Sequence, residues 1–257
     1  MTHPGHESQS GHESQSSHEN HPGHENHGSQ PSHGYGHAGH DDVDWANVVM
    51  DAAFWDNLYG SADALWSGRA NAQLVTEAAD LAPGTALDVG CGEGGDALWL
   101  AGRGWQVTGL DISTVALARA TAHAEAAGAE IAQRVTWLAA DLDEWEPAAA
   151  SFDLVSAHFM HLTPDERARV FGRLAAAVRP GGHLLVVGHH PADEQAGVQR
   201  PPLQDRYFTG ADIVALLDPD EWAIVVDEAR SRTVPGPDGA PMTIKDAVLR
   251  ARRTSKP

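Results

Sequence analysis

Leu87-Asp88-Val89-Gly90-Cys91-Gly92-Glu93-Gly94-Gly95 is the stretch on which the fold of this 257-residue chain turns. A short apolar run starting at Thr85 leads into it, and residues 96–103 behind it have helix-forming character. A strand that breaks into glycines and re-enters as a helix makes a tight turn whose backbone a ligand can approach closely. Gly90, Gly92 and Gly95 match G-x-G-x-x-G, while Gly90, Gly92 and Gly94 match G-x-G-x-G. Both patterns describe the same turn, and Asp88, two residues upstream, discriminates between ligands. Its carboxylate would repel a pyrophosphate and attract a cofactor that carries an ammonium group.

On the amino-terminal side, Trp45, Val48, Val49, Ala52, Ala53, Trp55 and Leu58 fall near helical spacing, and a second helix is expected over 71–81 before Pro83-Gly84. On the other side, strands are expected at 105–110, 134–138, 152–157 and 183–188. Helices are expected at 114–127, 164–178 and 210–217. The 164–178 segment has Pro164 at its start and Pro180-Gly181-Gly182 beyond its end. Two β-rich stretches, 222–234 and 242–252, flank Pro235-Gly236-Pro237-Asp238-Gly239 with no room for a helix, so they should pair as an antiparallel hairpin. Alternating strands and helices predict an α/β fold: a doubly wound, mainly parallel seven-stranded sheet closed by a C-terminal antiparallel hairpin.

Two further acids fit that frame. Asp111 ends the apolar strand about 20 residues past the glycine turn, where a carboxylate accepts hydrogen bonds from ribose hydroxyls. Asp141 follows the next strand, placed to meet the exocyclic amine of an adenine. Acids at the ends of three successive strands gather at the crevice where such sheets bind ligands.

Residues 1–40 are of another kind. They hold ten of the sixteen histidines (His3, His6, His12, His18, His21, His24, His27, His33, His37 and His40) and four glutamates, without a Lys or Arg. The hexapeptide Gly-His-Glu-Ser-Gln-Ser occurs twice in succession from Gly5. Such a segment has too little apolar surface to offset backbone ordering, so 1–40 is expected to be a disordered tail and 41–257 the folded domain. Flexible histidines interleaved with glutamates would chelate divalent transition metals, as a functional feature or only incidentally to a solvated extension.

Composition narrows the functions. Seventeen Lys+Arg against 36 Asp+Glu give a formal charge of -19, which disfavours nucleic acid and anionic membranes as partners. No apolar run approaches membrane-spanning length, the amino terminus lacks a basic and apolar signal pattern, and the single cysteine permits no intrachain disulfide. A cytoplasmic location is the expectation. One thiol, Cys91, also cannot build a trithiolate arsenic site.

Taken together, Leu87–Gly94, Gly109-Leu110-Asp111-Ile112-Ser113, Ala140-Asp141-Leu142, Phe152-Asp153-Leu154-Val155 and Val178-Arg179-Pro180-Gly181-Gly182 resemble the class I S-adenosylmethionine-dependent methyltransferases, with a Rossmann-like fold, from about Trp45 to the C-terminus. Phe54-Trp55-Asp56-Asn57-Leu58-Tyr59, Trp66-Ser67-Gly68-Arg69 and Gly92-Glu93-Gly94-Gly95-Asp96-Ala97 look like a small bacterial branch near tellurite-resistance and thiopurine methyltransferases, which act on soft S, Se or Te nucleophiles. The resemblance implies S-adenosyl-L-methionine as cofactor and a small-molecule methyl acceptor. It implies that Gly90 and Gly92 approach the methionine part, that Asp111 holds the ribose, and that Asp141 and Leu142 flank the adenine, with Asp88, Cys91 and Ile112 also among the cofactor-binding residues. His158 is expected beside the cofactor, with Trp66 and Arg69 nearby; Arg69 reaches either the cofactor carboxylate or a surface acid.

His158, His161, His189 and His190 follow two adjacent strands. His158 and His161 are the candidate general bases for a hydroxyl or amine acceptor. His161 has the alternative of tying down a loop, and His189 with His190 that of a metal pair. Trp55, Tyr59 and Trp66 either line a lid or pin the first helix. Two other functions remain open at this stage: a nicotinamide-dependent oxidoreductase using the same glycine turn, and a metal-storage protein working through the tail.

Overall fold

A computed structural model of the chain describes residues 48–196, 203–235 and 239–255. The tail of residues 1–40, with its expected disorder and metal-chelating histidines, lies outside the described residues, as does Trp45.

The chain runs α1 (Ala52–Gly60), α2 (Ala72–Ala78), β1 (Thr85–Val89), α3 (Gly95–Gly102), β2 (Gln106–Asp111), α4 (Thr114–Ala127), α5 (Ala129–Ala132), β3 (Val135–Ala139), β4 (Phe152–His158), α6 (Pro164–Ala177), β5 (Val178–His189), α7 (Gly210–Val214), β6 (Trp222–Pro235) and β7 (Pro241–Arg253). One seven-stranded sheet has the order β3-β2-β1-β4-β5-β7-β6. β1 to β5 run parallel, and β7 joins β5 and β6 antiparallel. Strand order reverses between β1 and β4, so a crevice opens there at the carboxyl ends of the strands.

Both faces of the sheet are covered, and successive residues serve opposite sides. Leu184 and Val186 of β5 join Leu174 and Phe171 of α6 in one core, with Phe208 and Ile213. Leu185 and Val187 join Leu74 of α2, Leu100 of α3 and Trp105 in the other. That period of two in an unbroken apolar run is what a strand buried on both sides requires. Truncating Leu174, which is fully buried, to Ala would cost about 2–5 kcal/mol.

The boundaries depart from expectation for local reasons. The helix expected from Trp45 begins only at Ala52, because the Asp51 carboxylate caps it by accepting from Phe54 N at 2.9 Å. Val48 and Val49 precede that cap outside any helix and border the central cavity instead. Asn71 likewise caps α2, accepting from Gln73 N at 2.8 Å. α6 starts on a capping box between Thr163 and Glu166, with Pro164 in its first turn. β5 reaches back to Val178, through the Pro180-Gly181-Gly182 turn signal, with an irregular register opposite Phe152 and Leu154. α7 is shorter than the expected 210–217 and ends at Val214.

Candidate active site

A cavity of about 500 Å³ lies over the carboxyl ends of β1 to β5 and under the amino-terminal segment. That size suits a small-molecule ligand. Its floor is the glycine turn. Gly90 has φ +67° and Gly92 has φ +52°, conformations that favour glycine. Space demands glycine as well: a Cβ on Gly90 would lie 2.7 Å from Met160 Sδ, and one on Gly92 2.7 Å from the Tyr59 hydroxyl.

Three amides of this turn are already bonded within the protein. Gly92 N donates to Asp111 Oδ2 at 2.8 Å, Cys91 N to Leu110 O at 3.0 Å, and Gly94 N to Cys91 O at 2.9 Å. A dinucleotide turn instead directs its free amides at a pyrophosphate. Asp111 takes a second bond from Ser113 N at 2.8 Å, so it welds the end of β2 to the glycine turn. Burial raises its carboxyl above the ordinary 3.8, against the lowering effect of these backbone bonds.

Next to the turn lies a group of three, with Asp88 buried and Asp96 and His158 half-buried. His158 Nδ1 is 2.6 Å from Asp96 Oδ2, and Asp88 Oδ1 accepts from the Ser156 hydroxyl at 3.0 Å. Donor atoms of Asp88, Asp96 and His158 lie within 4.8 Å of one another. Asp88 Oδ2 and His158 Nε2 are buried without a hydrogen-bond partner among the described residues. Burial, then the charge of Asp96, pushes the Asp88 carboxyl up from 3.8. Burial is also the largest single influence on His158 and acts downward, but the hydrogen bond and charge of Asp96 with the charge of Asp88 outweigh it, and the imidazole ends above 6.5.

The amino-terminal segment is clasped over this floor. Glu93, 3% exposed, accepts from Leu65 N at 3.2 Å and Trp66 N at 3.1 Å, and from Arg119 at 2.8 Å. Asp56 accepts from the Ser113 hydroxyl at 2.6 Å and Val115 N at 3.2 Å, which fixes α1 to the start of α4. Trp66 Nε1 donates to the Tyr59 hydroxyl at 3.0 Å. Burial pushes the Tyr59 phenol far up, so it stays neutral. Tyr59 therefore helps pin the helix, and it borders the cavity together with Trp55 and Trp66.

The sequence-predicted residues converge with one displacement. Gly90, Cys91, Gly92, Asp111 and Ile112 border the cavity, as do Asp141, Leu142, His158, His161, Trp66 and Arg69. Asp88 does not; it lies behind the wall, and Asp96 stands at the surface where Asp88 was expected. Asp141 is exposed and closes a turn by accepting from Asp143 N at 2.8 Å. Arg69 is exposed, and its side chain makes no bond to another described residue. Cys91 is buried, and burial drives its thiol well above 9.0, in keeping with packing.

His161 stacks on Trp55 at 6.1 Å and contacts His189 at 5.7 Å. His189 borders the cavity, whereas His190 Nδ1 accepts from Ala192 N at 3.1 Å and caps a turn. Among the described residues the grouping of three metal-donor side chains is Asp88, Asp96 and His158, and it includes neither His189 nor His190. Sequence reasoning missed Asp96, Glu93 and Arg206 as cavity residues. Asp96 and Glu93 had a signal in their places beside the glycines; Arg206, in an irregular connection, had none.

The implied cofactor can be tested against this wall. S-adenosylmethionine presents an ammonium, ribose hydroxyls and an adenine amine, all of them donors. Asp96, Asp111 and Asp141 supply acceptors on the cavity surface, and a buried His158 Nε2 awaits a partner. The residues fit.

Comparison with known proteins agrees. Residues 86–182 match the family model described as a methyltransferase domain. The 27-O-demethylrifamycin SV methyltransferase of Amycolatopsis mediterranei is 30% identical over 190 residues, covering 70% of this chain and 68% of that protein. Methyltransferase GfsG of Streptomyces halstedii is 34% identical over 57% of this chain, and the probable thiol methyltransferase 2 of Arabidopsis thaliana 34% identical over 48%. The chain spans only about half the length of these last two, 55% and 54%. Among solved structures, the protein described in "Conversion of a Disulfide Bond into a Thioacetal Group during Echinomycin Biosynthesis" superposes with a TM-score of 0.60 at 25% identity, covering 79% of this chain and 92% of that one. TehB from Haemophilus influenzae shares the fold, with a TM-score of 0.58 at 18% identity over 79% of this chain and 67% of its own. By its glycine turn, its closing hairpin and these relatives, the chain belongs to the class I S-adenosylmethionine-dependent methyltransferases.

Proposed function

We propose that this protein methylates a small molecule at a soft nucleophile, a thiolate in the first instance. The observation that carries this reading is the Asp96–His158 pair at 2.6 Å. Asp96 engages Nδ1, Nε2 is buried, and Asp96 with Asp88 holds the imidazole above 6.5, so His158 is tied to the acids and not offered to an acceptor as a general base. An acceptor that arrives already ionised needs no base, and thiols ionise far more readily than alcohols.

When bound, S-adenosylmethionine supplies an electrophilic methyl group on a sulfonium that is already a good leaving group. The rest falls to the chain. Asp111 would hold the ribose, and Asp141 with Leu142 would flank the adenine. Asp96, backed by Asp88 and His158, would face the ammonium, with Arg69 available for the carboxylate. Trp55 and Trp66 exclude water from above, and the acceptor would lie over β4 and β5 against His161, Phe159 and Met160. Alignment and desolvation are then the main contributions of the protein. The thiol methyltransferase and disulfide-to-thioacetal relatives support the same choice.

A second reading, a hydroxyl acceptor with His161 as base, is favoured by the rifamycin O-demethyl relative and by the place of His161 on the cavity wall. Turnover of a thiol and of a phenol by wild type, His158→Ala and His161→Phe decides between them. Thiol methylation that persists in both variants supports the first reading. Phenol methylation lost in His161→Phe, with little thiol turnover in wild type, would replace it with the second.

A further inference from the structure

The cavity is divided electrostatically. Over β1 to β3 its wall carries Asp96, Asp111 and Asp141. Over β4 and β5 the acids are already engaged: Asp51 caps α1, and Glu166 Oε2 accepts from Thr163 N and the Thr163 hydroxyl, both at 2.8 Å. The arginine on this side is Arg206, which ends the short turn Gln204–Arg206 and borders the cavity. Its Nη1 donates to His161 O at 2.7 Å and lies 3.3 Å from Met50 Sδ, so the guanidinium is anchored. Its Nε is buried and has no hydrogen-bond partner among the described residues. That burial closes Nε to a ligand, whereas Nη2 makes no hydrogen bond among the described residues and is not fully buried, which leaves it as the open donor.

The surroundings of Arg206 are fixed. Arg167 pins the segment from below, donating to Asp205 O at 3.0 Å and lying 3.4 Å from Tyr207 O. Rings border the space: Trp55 stacks on His161 with 19° between planes, and His189 meets Phe159 at 4.8 Å and Tyr207 at 5.8 Å. A planar fork with an open donor matches a carboxylate better than any neutral group. The stacked Trp55 and His161 rings offer a flat surface that matches a conjugated ring. In a chain of net charge -19 long-range steering works against an anion, so recognition must come from a local cation.

We propose that Arg206 is the anion receptor of an acceptor subsite, which takes a flat aromatic carboxylate with its ring bordered by Trp55 and His161. This deepens the methyl-transfer reading and rests on it: the carboxylate anchors the acceptor, and the reacting atom lies elsewhere on the same ring.

The test is isothermal titration of protein loaded with S-adenosylhomocysteine, using 4-mercaptobenzoate and 4-mercaptobenzamide as probes. They differ only in the charge at one end. Wild type should bind the benzoate about tenfold more tightly or better, the share of a charge-assisted hydrogen bond. Arg206→Gln should remove that preference while keeping its affinity for the benzamide and for S-adenosylhomocysteine, which also shows that the variant is folded. Arg206→Lys should restore part of the preference. Equal binding of the two probes by wild type, binding of neither, or a preference that survives in Arg206→Gln would each overturn the inference. Failure of wild type to bind S-adenosylhomocysteine would overturn the methyl-transfer reading beneath it.

Discussion

At the ends of β1, β2 and β3 the cavity wall is made largely by residues at or just past a strand end, Gly90–Gly92, Asp111 with Ile112, and Asp141 with Leu142, with Asp96 added from the first turn of α3. At the ends of β4 and β5, beside His158, Phe159, Met160 and His189 at the strand ends themselves, it takes side chains from four separate places. Trp55 comes from α1, His161 from a loop, Glu166 from a helix start, and Arg206 from the irregular connection before α7. The first half is set by backbone, with turn amides bonded to Asp111 and glycines whose Cβ positions are taken. The second is set by side-chain packing. Backbone-built walls hold the invariant part of a chemistry, and packed side chains can change with the acceptor.

The sharpest way to break this division is Asp111→Ala. Removing its carboxylate strands the buried amides of Gly92 and Ser113, each costing about 1–3 kcal/mol, and removes the proposed ribose anchor. Affinity for S-adenosylhomocysteine by titration calorimetry should fall about 100-fold or more. An unchanged affinity would place the cofactor elsewhere. Gly92→Ala should come next, since its Cβ would meet the Tyr59 hydroxyl at 2.7 Å with φ at +52°. A loss of about 1–3 kcal/mol in chemical denaturation is expected, partly relieved by Tyr59→Phe.

A pH series sharpens the contrast from the group of three between the halves. Asp88 is raised above 3.8, so the folded state binds its proton more tightly than the unfolded state; the stability this gives is present in acid and lost as pH rises through the raised value. His158, raised above 6.5, acts in the same sense, with its full contribution below 6.5 and its loss above. The melting temperature should therefore fall as pH goes from about 6 to about 8.5. Asp88→Asn should flatten that slope and gain about 1 kcal/mol at the alkaline end. A steeper slope in the variant would contradict the assignment. The smallest effect is expected from Trp55→Leu, which should raise the acceptor KM roughly fivefold, from about 1 kcal/mol of ring contact, without changing S-adenosylhomocysteine affinity.

The same division governs what the sequence reveals. Strand ends, a glycine turn and an acid about 20 residues on are local patterns with a steric or hydrogen-bonding cause, so Asp111 and Gly92 could be placed from residues alone. The hairpin of β6 and β7 was legible for the same reason, as two β-rich runs with no helix between them. Asp88 was displaced because a strand residue two before the turn points into the sheet, where Ser156 takes it, while Asp96 on the first turn of α3 reaches the cavity. Arg206 was invisible because its place depends on Arg167, His161 and Met50, which only the fold brings together. The start of α1 was misplaced because helical spacing extends past a boundary that Asp51 sets by capping.

The backbone-built half of the cavity is suited to an adenosyl cofactor held through acids and not to a dinucleotide held through amides. Titrating S-adenosylhomocysteine and NAD separately into the wild-type protein tests it directly. Saturable binding of S-adenosylhomocysteine at one site, with none of NAD, is the predicted result. Binding of NAD, or no binding of S-adenosylhomocysteine, would contradict it.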